Sequence, residues 1–154
     1  MTTRSDRLDP DLLAALGGTG GEVTDQALSL VTVGDDGAPN LALISSGEVL
    51  AVDDRTLRLA LWRSSRTTAN LNDRRHGSLA FVVADAFVTI DVETPPAEDA
   101  TIDENPIAVV QARVVSVRWD RVPYAELTSG ITFRLLDDSV RDRWTATKNL
   151  LRGR

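Results

Sequence analysis

The run from Ile107 to Trp119 constrains the fold more than any other stretch of the chain. It is too long and too rich in β-branched residues to be anything but a long strand. Ala108, Val110, Ala112 and Val114 share one parity, whereas Val115, Val117 and Trp119 take the other. Strand side chains alternate between faces, so a slip of one residue marks a β-bulge. Bulges bend strands and let a sheet curl toward a barrel. A curled antiparallel sheet is therefore expected.

The remaining segments fit that expectation. Asp9, Pro10 and Gly17 supply matching start and stop signals for a helix at about 9–16. The glycines from Gly17 to Gly21 follow a helix and lack phosphate-loop spacing, so they read as a connection. Ala27–Val33 and Asn40–Ser45 flank an Asp-Gly turn and predict a hairpin. Glu48–Val52 and Thr56–Trp62 extend it into a meander. Ser78–Ala84 is nearly all apolar, which suits a strand buried on both faces or one at a subunit interface. Phe87–Glu93 alternates, with Val88, Ile90 and Val92 inward. The acidic, proline-bearing stretch from Pro95 to Pro106 reads as an exposed loop or a lid. Asp120–Leu127 is expected as a short helix ended by Gly130, and Ile131–Leu136 as a last strand. A final helix at about 138–152 carries Val140, Trp144, Thr147 and Leu151 on one stripe. Its Arg141, Arg143, Lys148 and Arg152 read as a solvated face. Together these elements predict one domain over residues 1–154, a mainly β, six- to eight-stranded antiparallel barrel with a few helices.

The stretch Trp62 to Leu71 is where chemistry concentrates. A strand enters it, a short helix leaves it, and no carboxylate appears until Asp73. A helix N-terminus presents unpaired N–H groups and favours anions, yet Arg63 and Arg66 stand there instead. One reading is a phosphate site; the other is a solvated turn in which Ser64 or Ser65 caps the helix. His76 has a convenient pKa for a base, but it sits beside Gly77 at the predicted end of that helix, where capping explains it.

Composition removes other classes. No cysteine is present among the 154 residues, which excludes disulfide frameworks and thiol catalysis. One histidine rules out a multi-histidine metal site within one chain, and no metal is expected. A net charge of −6 argues against sequence-independent nucleic-acid binding. No apolar run approaches the roughly 20 residues of a membrane span, and Met1–Asp6 lacks a secretory apolar segment. A cytoplasmic, soluble protein without membrane or nucleic-acid partners is expected. Acidic pairs occur in turns, as at Asp35-Asp36 and Asp137-Asp138, where caps and loops account for them.

In order and spacing, the chain resembles the pyridoxamine 5′-phosphate oxidase-like family of flavin-binding split β-barrels. The residues that carry the resemblance are the hairpin Asp35-Asp36-Gly37-Ala38-Pro39-Asn40, the turn Ser65-Arg66-Thr67 with Leu71 following, and Ser78-Leu79-Ala80-Phe81. They span roughly residues 24–118. The C-terminal part, with Gly130 to Leu135 and Arg143-Trp144, is similar to an uncharacterised sub-group. The resemblance implies an FMN-dependent oxidoreductase acting on a small molecule, with Arg63, Ser65, Arg66 and Thr67 as phosphate ligands. Leu61, Trp62, Leu43 and Ile44 would flank the flavin ring. It also implies a homodimer with the cofactor at the subunit interface. Two positions depart from the oxidases: Thr67 stands where they have lysine, and Ala42 where they have arginine. The alternative is a non-catalytic module holding a flavin, a deazaflavin or haem.

Overall fold

A computed structural model describes residues 1–17 and 25–154. The glycine-rich connection beyond Gly17 lies outside these. In chain order the elements are β1 (Thr2–Ser5), α1 (Pro10–Ala15), β2 (Gln26–Val33), β3 (Pro39–Ser45), a 3₁₀ turn (Ser46–Glu48), β4 (Val49–Ala51) and β5 (Thr56–Trp62). There follow α2 (Arg66–Arg74), β6 (His76–Val83), β7 (Ala86–Glu93), β8 (Glu98–Ile102), β9 (Asn105–Asp120), β10 (Ile131–Thr132) and α3 (Ser139–Arg152). The strands form one antiparallel sheet in the order β10-β2-β6-β7-β9-β5-β4. β3 adds to β2, and β1 and β8 add to β9. The sheet is curled into a half-barrel around Leu30, Leu59, Leu79, Ile90 and Val110, with Leu12 of α1 and Leu16 just after it in the same core.

The bulge sits at the parity slip. Asp91 pairs with Ser116 and Val92 with Val114, so Val115 is the extra residue. Val115 is exposed, while Val114 and Val117 are buried on either side of it. One strand can thereby turn from β5 and β8, its partners at the start, to β7 and β1, its partners at the end.

Five features differ from the sequence reading. The acidic loop contains β8, which pairs with the first residues of β9 through a turn at Asp103 and Glu104, both at positive φ. Its Ala100 and Ile102 join Leu50, Ala60, Ile107, Val109 and Leu151 in a second, smaller core. That core buries the other face of early β9. Residues 121–130 form no helix, and β10 is only two residues long, paired with the start of β2. β6 buries Leu79 and Phe81 and leaves Ser78, Ala80 and Val82 half-buried, so it is covered fully on one face. Gly77 does not stop α2: Arg75 takes the left-handed conformation at φ 64°. Gly77 lies in β6, where a Cβ would come within 3.1 Å of both Leu71 and the Val31 carbonyl.

The polar face of α3 is not simply solvated either. Lys148, the chain's single lysine, is 5% exposed. Its Nζ donates to the Leu16 carbonyl at 3.0 Å and to the Val49 carbonyl, tying α3 to the end of α1 and to β4. Burial, reinforced by the Arg152 charge, lowers its pKa to about 8. The folded value lies below that of the unfolded chain, so between about pH 8 and 10.4 the unfolded chain binds more protons. Stability should therefore rise through that window, by about 1–2 kcal/mol. Urea unfolding at pH 7.5 and pH 10 measures the rise, and Lys148→Met should flatten it.

Candidate functional site

Strand β5 ends at Trp62, and the chain turns through Arg63–Ser65 into α2. Ser65 is the N-cap, in extended conformation, and its Oγ accepts from the Thr68 N–H at 3.1 Å. The same hydroxyl donates to Thr68 Oγ1, which donates to the Trp62 carbonyl at 2.8 Å. The Ser65 N–H also returns to the Trp62 carbonyl. Two of the four donors that a helix start leaves orphaned are thus satisfied internally. The N–H groups of Arg66 and Thr67 donate to no described residue. The first turn of α2 contains no acidic residue. Capping by Ser65 therefore coexists with two open backbone donors.

This end opens into a groove of about 170 Å³ between β3, β5, the start of β9 and α3. Its apolar walls are Ile44, Leu61, Ile102 and Ile107, and its polar groups include Ser65, Thr67 and Asn105. Thr67 is buried, and its Oγ1 accepts from Asn40 Nδ2 at 3.2 Å. Of the eight sequence-predicted site residues, Leu43, Ile44, Leu61, Trp62, Ser65 and Thr67 line the groove together. Ala42, which departs from the oxidase pattern, lines it as well.

Arg63 and Arg66 do not line it. Arg63 turns to Asp99 of β8, with Nε 3.1 Å from Oδ1. That pair is exposed on both sides and worth little in stability, but it gives Arg63 a carboxylate partner. The partner lies 36 residues along the chain in what reads as a loop, so local sequence could not show it. Arg66 is exposed at the first position of α2 and has no ion pair among the described residues. His76 is exposed, with Nδ1 against the Arg74 carbonyl at 2.9 Å, and stands apart from the groove.

Sequence reasoning missed the wall supplied by α3. Arg143 and Thr147 line the groove, and so does Glu48 of the 3₁₀ turn. Glu48 closes a capping box with Ser45, its Oε2 accepting the Ser45 N–H at 2.9 Å. Burial raises the Glu48 pKa, against the lowering effects of the Ser45 hydrogen bonds and the Arg143 charge. The position of α3 is set by Trp144, which lies flush on Gly47: a Cβ there would fall 2.3 Å from the Trp144 ring. Serine-three-glutamate spacing at Ser45 and Glu48 was the available signal for the turn. Among the described residues no cluster of three or more His, Cys, Asp or Glu is placed to hold a metal, and no helix is long and apolar enough to cross a membrane.

Comparison with known proteins adds three findings. No family model matches the chain. The uncharacterized protein YclD of Bacillus subtilis is 35% identical over 132 residues, which is 82% of this chain and 82% of that one. In fold, the chain is similar to HupZ of Group A Streptococcus, with a TM-score of 0.53 and 18% identity over 82% of this chain and all of that one. It is also similar to an FMN-binding protein from Syntrophomonas wolfei, with a TM-score of 0.52 and 15% identity over 73% of this chain and 85% of that one.

Proposed function

We propose a function from one premise: this chain belongs to the family of Bacillus subtilis YclD, built on the split β-barrel of pyridoxamine 5′-phosphate oxidase-like proteins. The groove binds FMN, and the protein is a flavin-dependent oxidoreductase acting on a small molecule. The observation that carries this reading is the start of α2. There, two backbone N–H groups without partners meet a groove whose walls are apolar and whose first helical turn holds no carboxylate. A phosphate needs such donors, and an aromatic ring system needs such walls.

The residues present fit that cofactor. Ser65, Thr67 and the N–H groups of Arg66 and Thr67 would hold the phosphate, with the Arg66 and Arg63 charges nearby. Leu43, Ile44, Leu61 and Trp62 would flank the ring. When bound, FMN supplies the redox chemistry, and the chain's part is to position it and exclude competing reactions. A haem reading has less support, because no His, Met, Tyr or Cys is among the described residues that line the groove. Nothing observed favours a deazaflavin.

The groove is smaller than the roughly 300–1,000 Å³ of sites that enclose a drug-sized ligand. Beside it, Leu41, Leu43 and Trp62 are exposed by 69%, 61% and 52%. Both observations support a homodimer whose second copy completes the site and covers those side chains. A soluble protein working in the cytoplasm suits this reading.

Titration of the protein with FMN and, separately, with riboflavin tests the assignment. FMN should bind about 10- to 100-fold more tightly, the contribution of charge-assisted hydrogen bonds to its phosphate. Equal affinities would overturn the phosphate position, and failure of both to bind would overturn the cofactor. Reduction of the FMN-loaded protein by a nicotinamide nucleotide, followed by oxygen consumption, separates an enzyme from a binding module.

A further inference from the structure

The groove also carries charge. Glu48 and Arg143 are the two charged residues that line it. The Glu48 carboxylate is engaged by the Ser45 backbone and belongs to the turn that carries it. Arg143 differs. Its guanidinium makes no ion pair and no side-chain hydrogen bond with any described residue, while its carbonyl accepts from Thr147 Oγ1 at 2.8 Å. Nearby on α3, Arg141 pairs with Asp25 at 2.8 Å, and Trp144 is clamped on Gly47. The helix is anchored further along by buried Lys148 and Leu151. The helix therefore presents to the groove a cation whose charge acts on the Glu48 carboxylate but whose five N–H donors bond no described residue.

We infer that Arg143 tunes the bound cofactor: it favours the reduced, more negatively charged flavin over the oxidised one and so raises its reduction potential. The inference rests on the reading of the groove as an FMN site. Uptake of a hydride equivalent, two electrons with one proton, adds one negative charge to the ring system. A nearby cation stabilises that state more than the neutral oxidised ring. The phosphate, by contrast, carries its charge in both states, so the α2 end of the groove governs affinity without discriminating between them. Arg143 discriminates. It acts as a positioning charge on the cofactor, supplied by the C-terminal helix rather than by the barrel.

The test uses the full chain reconstituted with FMN and reduced stepwise by dithionite against a reference dye. Arg143→Gln should lose about tenfold of the preference for reduced over oxidised FMN. For a two-electron couple this moves the midpoint potential about 30 mV more negative. Its affinity for oxidised FMN should stay within about threefold of the parent, and Arg143→Lys should keep most of the parent potential. An unchanged potential in a Gln variant that still binds FMN would overturn the inference and leave the cofactor assignment standing. Equal weakening of oxidised and reduced binding would also overturn it, since that is the mark of a merely structural role. If the parent chain binds no FMN, both readings fall together.

Discussion

Trp144→Ala should be the most damaging single substitution outside the barrel core, lowering stability by about 3–5 kcal/mol in urea unfolding. Trp144 is 5% exposed, packs directly against Gly47, and meets Phe133 edge-on with ring centroids 5.8 Å apart. Truncation removes a large apolar group and leaves a cavity between α3 and the 3₁₀ turn, which short side chains nearby cannot fill. Gly47→Ala attacks the same contact from the other side, because its Cβ has no space before the indole. On overpacking grounds it should cost about 1–3 kcal/mol. The two changes share one contact, so the double variant should be less destabilised than the sum of the single ones. Strict additivity would mean that Trp144 does not hold α3 through Gly47. Loosening α3 also withdraws the wall that carries Thr147 from the groove, so FMN affinity should fall in the same variants.

Thr67→Glu should abolish FMN binding, by 100-fold or more, while the protein stays folded. A carboxylate in the first turn of a helix suits the helix itself. Placed in the groove beside two open N–H groups, it occupies the anion position and repels a phosphate, and like charges brought together cost several kcal/mol. Thr67→Val serves as the size-matched comparison, since it loses only the hydroxyl and its contact with Asn40. Fluorescence titration with FMN and with riboflavin reads the outcome. Riboflavin, which lacks the phosphate, should be affected much less than FMN. A folded Thr67→Glu protein that binds FMN like the parent would show that the phosphate lies elsewhere.

What could be read from sequence depended on how local the cause was. The bulge at Val115 was legible because a parity slip is written in consecutive residues. The turn around Ser65 was legible too, since cap, hydroxyls and missing acids all lie within one stretch. The apolar pattern of Val88, Ile90 and Val92 likewise maps directly onto their burial. Strand β8 was hidden because Glu98, Asp99 and nearby prolines look like loop, and its pairing with β9 is what makes it a strand. The α3 wall was hidden for a related reason. Helical periodicity separates an apolar stripe from a polar face, but it does not say that the polar face will meet a groove on one side and two carbonyls on another. Arg143 and Lys148, both read as part of one solvated face, have different fates, one lining the groove without a hydrogen bond from its guanidinium and the other buried against the end of α1.

Strand β1 has a consequence for how the protein is made. Thr2 to Ser5 pair with Asp120 to Val117, and Thr2 Oγ1 donates to the Asp120 carboxylate across 118 positions of sequence. At synthesis rates of about 5–20 residues per second, roughly 6–24 s separate the emergence of the two partners. Throughout that interval the first strand has no edge to join. It is well suited to waiting: all four residues are exposed, and Thr2, Thr3, Arg4 and Ser5 are polar. An apolar strand in that position would face seconds of open opportunity for pairing with other chains. The polarity of β1 thus protects the nascent chain until β9 arrives to receive it.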